Sequence, residues 1–263
     1  MPASTPEQRA ATRVRPARSP VMFQSWRHLL FLHWTWDPAA IQATLPAGLH
    51  VDTFDGRAYL GVVPFWMDAV RPRFCPPVPG LSWFLELNLR TYVHTADGTP
   101  GVWFYSLDCN QPVAVRLARS LFSLPYVHAR QTGIRPSAQN HHRAKFKSQR
   151  MALTADQLSG KYGWSNHFTY NVAPGSTPAP ALPGTLEYFL AERYVLFSHS
   201  ARTGRLASGR VWHTPYQLAP AHASCATTLF ADNGFPPPET APAHQMISPG
   251  VDVSIYPLRR LNA

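Results

Sequence analysis

Two Asp-Gly dipeptides, Asp55-Gly56 and Asp97-Gly98, each sit between long runs of aromatic and β-branched residues, and they constrain this chain more than any other feature. Asp-Gly is favoured in two-residue hairpin turns because both central residues need positive φ. "HVDTF" and "AYLGVVPFWM" flank the first pair, while "LSWFLELNLRTYVHT" and "GVWFYSLDCN" flank the second. Both read as antiparallel hairpins. Further strand-like pieces follow in "YVHARQTG", "RAKFKSQRMAL", "NHFTYNV", "LASGRVWHTPYQL" and "GVDVSIYPL".

Helical signals are few and short. "DPAAIQATLPAGL" places Asp37 at an N-cap and Pro38 at the first helical position, with an end expected near Pro46. "PVAVRLARSLF" predicts a helix of about three turns from Pro112. "TLEYFLAERYVLFSHS" reads as a short helix passing into a strand. Many strands, a few short helices and no regular strand-helix-strand alternation predict an α+β fold around a closed or strongly curved antiparallel sheet.

Of 263 residues, 45% are hydrophobic and 12% aromatic, which supplies a sizeable core. Lys and Arg number 24 against 14 Asp and Glu, a net charge of +10 that suits phosphates, acidic ligands or an anionic surface and by itself names no partner. Arg9, Arg13, Arg15 and Arg18 lie in an Ala/Pro-rich arm. Residues 1–20 are therefore expected as a disordered basic tail and 21–263 as a single domain, which weakens a specific nucleic-acid role. Cys75, Cys109 and Cys225 have no motif spacing, and the N-terminal arm lacks the apolar stretch of a secretory signal. No apolar run is long enough to span a bilayer. A cytoplasmic protein without a membrane or cofactor partner is expected, and a homo-oligomer is compatible with the aromatic strands.

Phosphate-binding and hydrolase signatures (GxGxxG, GxxxxGK[ST], GxSxG) are missing. His141 and His142 are adjacent and cannot both reach one ion from a regular strand, so no metal site is expected. The candidate chemistry lies in "ELNLRTY". Strand alternation puts Glu86, Asn88, Arg90 and Tyr92 on one face, either solvated or lining a polar interior. The next strand divides Phe104, Ser106 and Asp108 from Trp103, Tyr105 and Leu107. His213 stands in an aromatic and proline context, and Arg143, Lys145 and Lys147 alternate along a strand that reads as a charged edge.

The segments "LLFLHWTWDPAAIQATLPAGLHVDTFDGRAYLGVVPFWM", "PGLSWFLELNLRTYV", "GVWFYSLD", "ARSLFSLPY" and "LEYFLAERY" together resemble the YqjF-like family, over most of residues 22 to 256. That family looks like a branch of the acetoacetate decarboxylase-like superfamily. The resemblance implies a β-barrel or cone enclosing a small-molecule cavity, covered by the helix 112–122. The decarboxylases carry Pro-Lys-Lys after that helix, and one lysine forms a Schiff base with a ketone. Here the step reads Pro125-Tyr126-Val127, and Lys145, Lys147 and Lys161 are the only lysines. Imine formation needs a primary amine, so that chemistry is unavailable at this position.

By the resemblance, Glu86 matches the superfamily's strand glutamate, Arg119 its helix arginine, and Tyr126 the nucleophile's place. Two readings follow. One is lysine-independent acid/base chemistry on a small keto or hydroxy acid, lyase-like, with Glu86 and Tyr126 catalytic. Arg90, Asn88, Tyr92, Ser106, Asp108, Arg119 and His213 then contact the substrate, Arg90 as an anion clamp. The other is a non-catalytic binding or sensing protein that keeps the cavity for a small molecule such as a carboxylate.

Overall fold

A computed structural model describes residues 4–151, 164–200 and 202–261. The strands are β1 (Met22–Trp36), β2 (His50–Val51), β3 (Ala58–Pro72), β4 (Phe84–His94), β5 (Pro100–Cys109), β6 (Tyr126–Ile134), β7 (Ala144–Arg150), β8 (Asn166–Val172), β9 (Ala179–Pro180), β10 (Val195–Ser200), β11 (Arg205–His213), β12 (Gln217–Thr227), β13 (His244–Ile255) and β14 (Arg259–Arg260). Among the described residues four short α-helices accompany them: α1 (Pro6–Arg13), α2 (Pro38–Gln42), α3 (Pro112–Phe122) and α4 (Leu186–Ala191). The molecule is mostly sheet, and the sheet curves round until its pairings form a ring. From β5 the path runs through β4, β3, β1, β13, β11 and β10, and returns to β5. A closed path leaves few unpaired strand edges.

Most pairings are antiparallel, as the hairpin signals require. Two are parallel. β6 runs alongside β5 because α3 carries the chain back between them, and β10 also runs parallel to β5. The β5–α3–β6 crossover is thus a local exception to the all-antiparallel pattern expected.

The second Asp-Gly forms its hairpin as expected, with β4 and β5 paired from His94↔Pro100 to Glu86↔Cys109. At the first, Asp55 (φ 50°) and Gly56 (φ 74°) make the two-residue turn, but only Phe54 and Arg57 bridge across it. β2 pairs with the far end of β4 instead, His50 with His94 and Val51 with Val93. "LASGRVWHTPYQL" reads as one strand in the sequence, whereas β11 stops at His213 and β12 begins at Gln217. Pro215 interrupts the run, since its ring removes a ladder donor.

The expectation of a disordered tail over residues 1–20 differs from what the structure shows for residues 4–20. Thr5 and Gln8 close a capping box at the start of α1. Ser4 donates to Asp52 through its backbone N and its Oγ, at 3.0 and 2.6 Å. The Arg210 guanidinium donates to the Val14 carbonyl at 2.7 Å, and Arg15 lies 4.6 Å from the Trp212 ring. Composition hid this docking, because the arm's partners all lie far away in sequence.

Candidate functional site

β4 is buried along its whole length. One face packs Leu85, Leu87 and Leu89 into hydrocarbon, while Glu86, Asn88 and Arg90 on the other line a cavity of about 570 Å³. All three are at least nine-tenths buried, at 3%, 5% and 7% exposure. Of the two settings open to this row, solvated face or interior, the protein adopts the interior one.

Tyr126 reaches the same cavity through the abrupt end of α3. Ser123 takes the left-handed conformation (φ 50°) and stops the helix. Leu124-Pro125 then turns the chain into β6, where Tyr126 pairs with Leu107 of β5. Its hydroxyl donates to Glu86 Oε2 at 2.7 Å.

Burial pushes the Glu86 carboxyl up to about 7; the hydrogen bonds from Tyr126 and Asn88 oppose this, and the charge of Asp108 adds to it. The Tyr126 phenol is held well above its usual range by burial, then by the negative charge of Glu86. The two groups thus share one proton-bearing contact, with the carboxyl poised between its two states near neutrality.

Deeper in the cavity stand two arginines. Arg90 Nη2 donates to the Tyr92 hydroxyl at 3.3 Å and to the Leu190 carbonyl at 3.2 Å. Its guanidinium carbon lies 5.5 Å from the Phe31 ring and 5.6 Å from the Tyr92 ring. Among the described residues Arg90 has no carboxylate partner. Arg193, in contrast, is paired to Asp52 at 2.8 Å and donates through Nε to the Phe189 carbonyl at 2.6 Å. Burial raises the Asp52 carboxyl, but the Arg193 charge and the Ser4 hydrogen bonds outweigh it, so the group ends below its usual value. Arg90 Nε, Arg193 Nη2 and Asn88 Oδ1 are buried polar atoms without a hydrogen-bond partner among the described residues. Unsatisfied buried groups that line a cavity are the ones a ligand would satisfy.

The structure brings together Glu86, Asn88, Arg90 and Tyr126 and places the other expected residues elsewhere. Tyr92 lies just beyond the cavity, its hydroxyl 2.7 Å from His33 Nε2, with His33 Nδ1 3.0 Å from His244 Nδ1. Ser106 and Asp108 face away from it. The β4–β5 register passes from Leu89↔Ser106 to Arg90↔Phe104, so Tyr105 is an extra, unpaired residue that shifts the alternation. Phe104 and Leu107 face the cavity, while Arg150 binds Asp108 through Nε and Nη2 at 2.8 and 2.9 Å and Ser106 through Nη2 at 2.7 Å. Arg119 is exposed on α3. His213 is buried between the Thr214 and Arg193 carbonyls, 2.8 Å from its Nδ1 and 3.3 Å from its Nε2.

Lys145 and Lys147 lie on β7 and do not line the cavity, and Lys161 is outside the described residues. No cluster of three metal-ligating side chains occurs among the described residues. Nor is any described helix long and apolar enough to cross a membrane. Arg193, which the sequence offers in "LEYFLAERY" without a role in the site, also lines the cavity. Its signal is the "AERY" step, where a cation follows a helix end directly before a buried strand.

A curved ring of strands, covered by short helices and enclosing an acid and two cations, places this chain among the acetoacetate decarboxylase-like folds. The acetoacetate decarboxylase of Legionella pneumophila superposes with a TM-score of 0.64 at 11% identity, over 95% of this chain and 90% of that one. The enduracididine biosynthesis enzyme MppR complexed with pyruvate superposes at 0.60 and 15% identity, over 93% and 91%. At these identities the likeness is one of fold. Within that class, residues 23–252 match the DUF2071 family, described as "Uncharacterized conserved protein (COG2071)", and the chain belongs to it. YqjF of Bacillus subtilis (strain 168) is 33% identical over 244 residues, covering 91% of this chain and 92% of its own.

Proposed function

We propose that this protein carries out lysine-independent acid/base chemistry on a keto or hydroxy acid held in the β4 cavity. The contact between the Tyr126 hydroxyl and Glu86 Oε2, at 2.7 Å, with the Glu86 carboxyl raised to about 7, is the observation that carries the reading. A general base works best when its pKa lies near the operating pH. Ionised Glu86 would take a proton from the carbon next to a carbonyl. The electron pair would move onto the carbonyl oxygen, and the Tyr126 hydroxyl and the Asn88 amide, both beside Glu86, would stabilise it. Return of the proton from Glu86 to carbon closes the cycle; where the neighbouring carbon bears a leaving group, the enolate's electron pair would form the double bond as that group departs with its bonding pair, and Glu86 would pass its proton to the departing group, giving a lyase. Arg90, without a carboxylate partner among the described residues, would hold the substrate's carboxylate. No amine is needed for these steps, and neither Lys145 nor Lys147 lines the cavity.

Exchange of carbon-bound hydrogen tests the proposal directly. Pyruvate, 2-oxobutanoate and 4-phenyl-2-oxobutanoate are incubated with the protein in deuterated water, and loss of the proton signal beside the carbonyl is followed by NMR. Exchange by the wild type, its abolition in Glu86→Gln and a drop of about a hundredfold or more in Tyr126→Phe are expected. Exchange surviving in Glu86→Gln would overturn the role given to the carboxyl. The largely apolar lining of the cavity favours a second reading, a binding or sensing protein without turnover. Thermal stabilisation by these acids with no exchange from any of them would select it.

A further inference from the structure

The cavity's exposed lining is confined to a few segments. Its deep end is formed by buried residues around Arg90, whereas Val78 and Leu81 on the loop after β3 and Val113, Leu117 and Leu121 on α3 both line it and face solvent, at 45%, 45%, 46%, 53% and 65% exposure. The last three recur every four residues, so they form one stripe along the helix. The mouth therefore lies between that loop and α3, and it is apolar. Exposed apolar surface at the entrance of a cavity marks a site for an apolar group.

The charge distribution is opposite at the two ends. Arg90 is 7% exposed and, among the described residues, has only neutral hydrogen-bond partners and two aromatic faces around it. A buried cation in that setting lacks a counter-ion. Glu86 stands four residues closer to the mouth along the same strand, a backbone separation of about 13 Å at 3.3 Å per residue, with Asn88 midway between the two on the same face. A volume of about 570 Å³ falls in the range for drug-sized ligands, and a three-carbon acid would leave most of it empty.

Resting on the acid-binding reading above, we infer that the ligand is an amphiphilic carboxylic acid bearing a long alkyl or aryl tail. Its carboxylate pairs with Arg90 at the deep end, its keto or hydroxyl group lies beside Asn88, and the carbon that follows faces Glu86 and Tyr126. The tail leaves between the loop and α3, covering Leu81, Leu117 and Leu121. This orientation places the reacting carbon between the anion clamp and the apolar exit, and it assigns the mouth a role in choosing among acids by tail length.

Affinities of the straight-chain 2-oxo acids with four, six, eight and ten carbons, measured by calorimetry on the full chain, test the inference. Each methylene that enters the apolar mouth is expected to tighten binding about fourfold. Leu117→Asp, at a position 53% exposed, should shrink the gain from four to ten carbons at least tenfold. Replacing 2-oxooctanoate by 2-octanone should cost about a hundredfold, and Arg90→Gln should abolish that difference. Should Arg90→Gln not fold, the ketone comparison on the wild type reads the same contact.

Affinity independent of chain length would overturn the inference, as would a length series that Leu117→Asp leaves just as steep. Light scattering on the same samples covers the remaining case. A dimer broken by Leu117→Asp with an unaltered length series would make the stripe a contact between two copies and end the tail assignment. The two proposals fail separately: proton exchange with a flat length series removes only the tail, and a steep series without exchange removes only the chemistry.

Discussion

Replacing Glu86 by Gln should make the protein more stable relative to wild type as pH rises. A carboxyl whose pKa climbs from its ordinary 4.5 to about 7 on folding holds its proton more tightly in the native state. Between those values the native chain binds more protons than the unfolded one, so stability falls as pH increases. The contribution is fully present below about pH 4.5 and gone above about pH 7. At about 1.4 kcal/mol for each tenfold gain in proton affinity, the whole effect comes to about 3 kcal/mol. Glutamine keeps the Tyr126 hydrogen bond through its amide oxygen but cannot ionise, so it does not lose this contribution. The difference in unfolding free energy between variant and wild type should therefore move by about 3 kcal/mol in the variant's favour between pH 4.5 and 8. In a chain of this size that corresponds to about 2–4 °C in Tm per kcal/mol. Paired urea and thermal unfolding curves at half-unit pH steps measure it, and the subtraction cancels groups that titrate identically in both proteins. Parallel pH profiles would refute the reasoning, because they would mean that Glu86 ionises in the folded protein as freely as in water.

The remaining predictions concern the frame around the site. Proton exchange in deuterated water should vanish in Glu86→Gln and fall about a hundredfold in Tyr126→Phe, read by NMR. Affinity for 2-oxo acids should rise about fourfold per methylene and lose that slope in Leu117→Asp, read by calorimetry. Asp52→Asn removes the charge that pairs with Arg193 at 2.8 Å and also faces Arg9 at 3.6 Å. It should cost about 3–5 kcal/mol in urea unfolding, because a buried guanidinium is left uncompensated. Gly101→Ala should cost about 1–3 kcal/mol, since a Cβ there would stand 2.6 Å from the Val195 carbonyl and press on the Phe197 ring where β5 and β10 run parallel.

The parts of the fold visible in the sequence are those set by local chemistry. Asp37 caps α2 and Gln111 caps α3, each just before a proline, and both helices start where those residues put them. The face of β4 follows from its alternation alone, because that strand carries no bulge. The partner strand defeats the same reasoning at one residue. Tyr105 is held out of register by its hydroxyl, 2.6 Å from Thr44 Oγ1, and by its ring against Phe235. Neither contact is local, so the phase change that turns Ser106 and Asp108 away has no signature nearby in the chain. The docking of α1 and the entry of Arg193 escape for the same reason. Both depend on Asp52, which meets Ser4, Arg9 and Arg193 only after folding.

The bulge also explains why Glu86 has a different electrostatic setting from Asp108, although the two carboxyls sit on adjacent strands. With unbroken alternation from Phe104, Asp108 would point into the cavity, and two carboxyls facing each other there would compete for one proton. The extra residue sends Asp108 to the opposite face, where Arg150 meets it with two hydrogen bonds. Its charge still acts across the strand and adds to the rise in the Glu86 carboxyl. Inside the cavity this leaves a carboxyl near its midpoint at neutral pH, a phenol beside it, and, four residues further along the strand, a cation with no acid partner among the described residues. An anionic ligand can therefore pair with Arg90 without meeting a second fixed negative charge whenever Glu86 holds its proton. Affinity for a carboxylate should accordingly weaken as pH rises through about 7 in the wild type and stay level in Glu86→Gln, and a titration of 2-oxooctanoate binding from pH 6 to 8.5 in both proteins reads that difference.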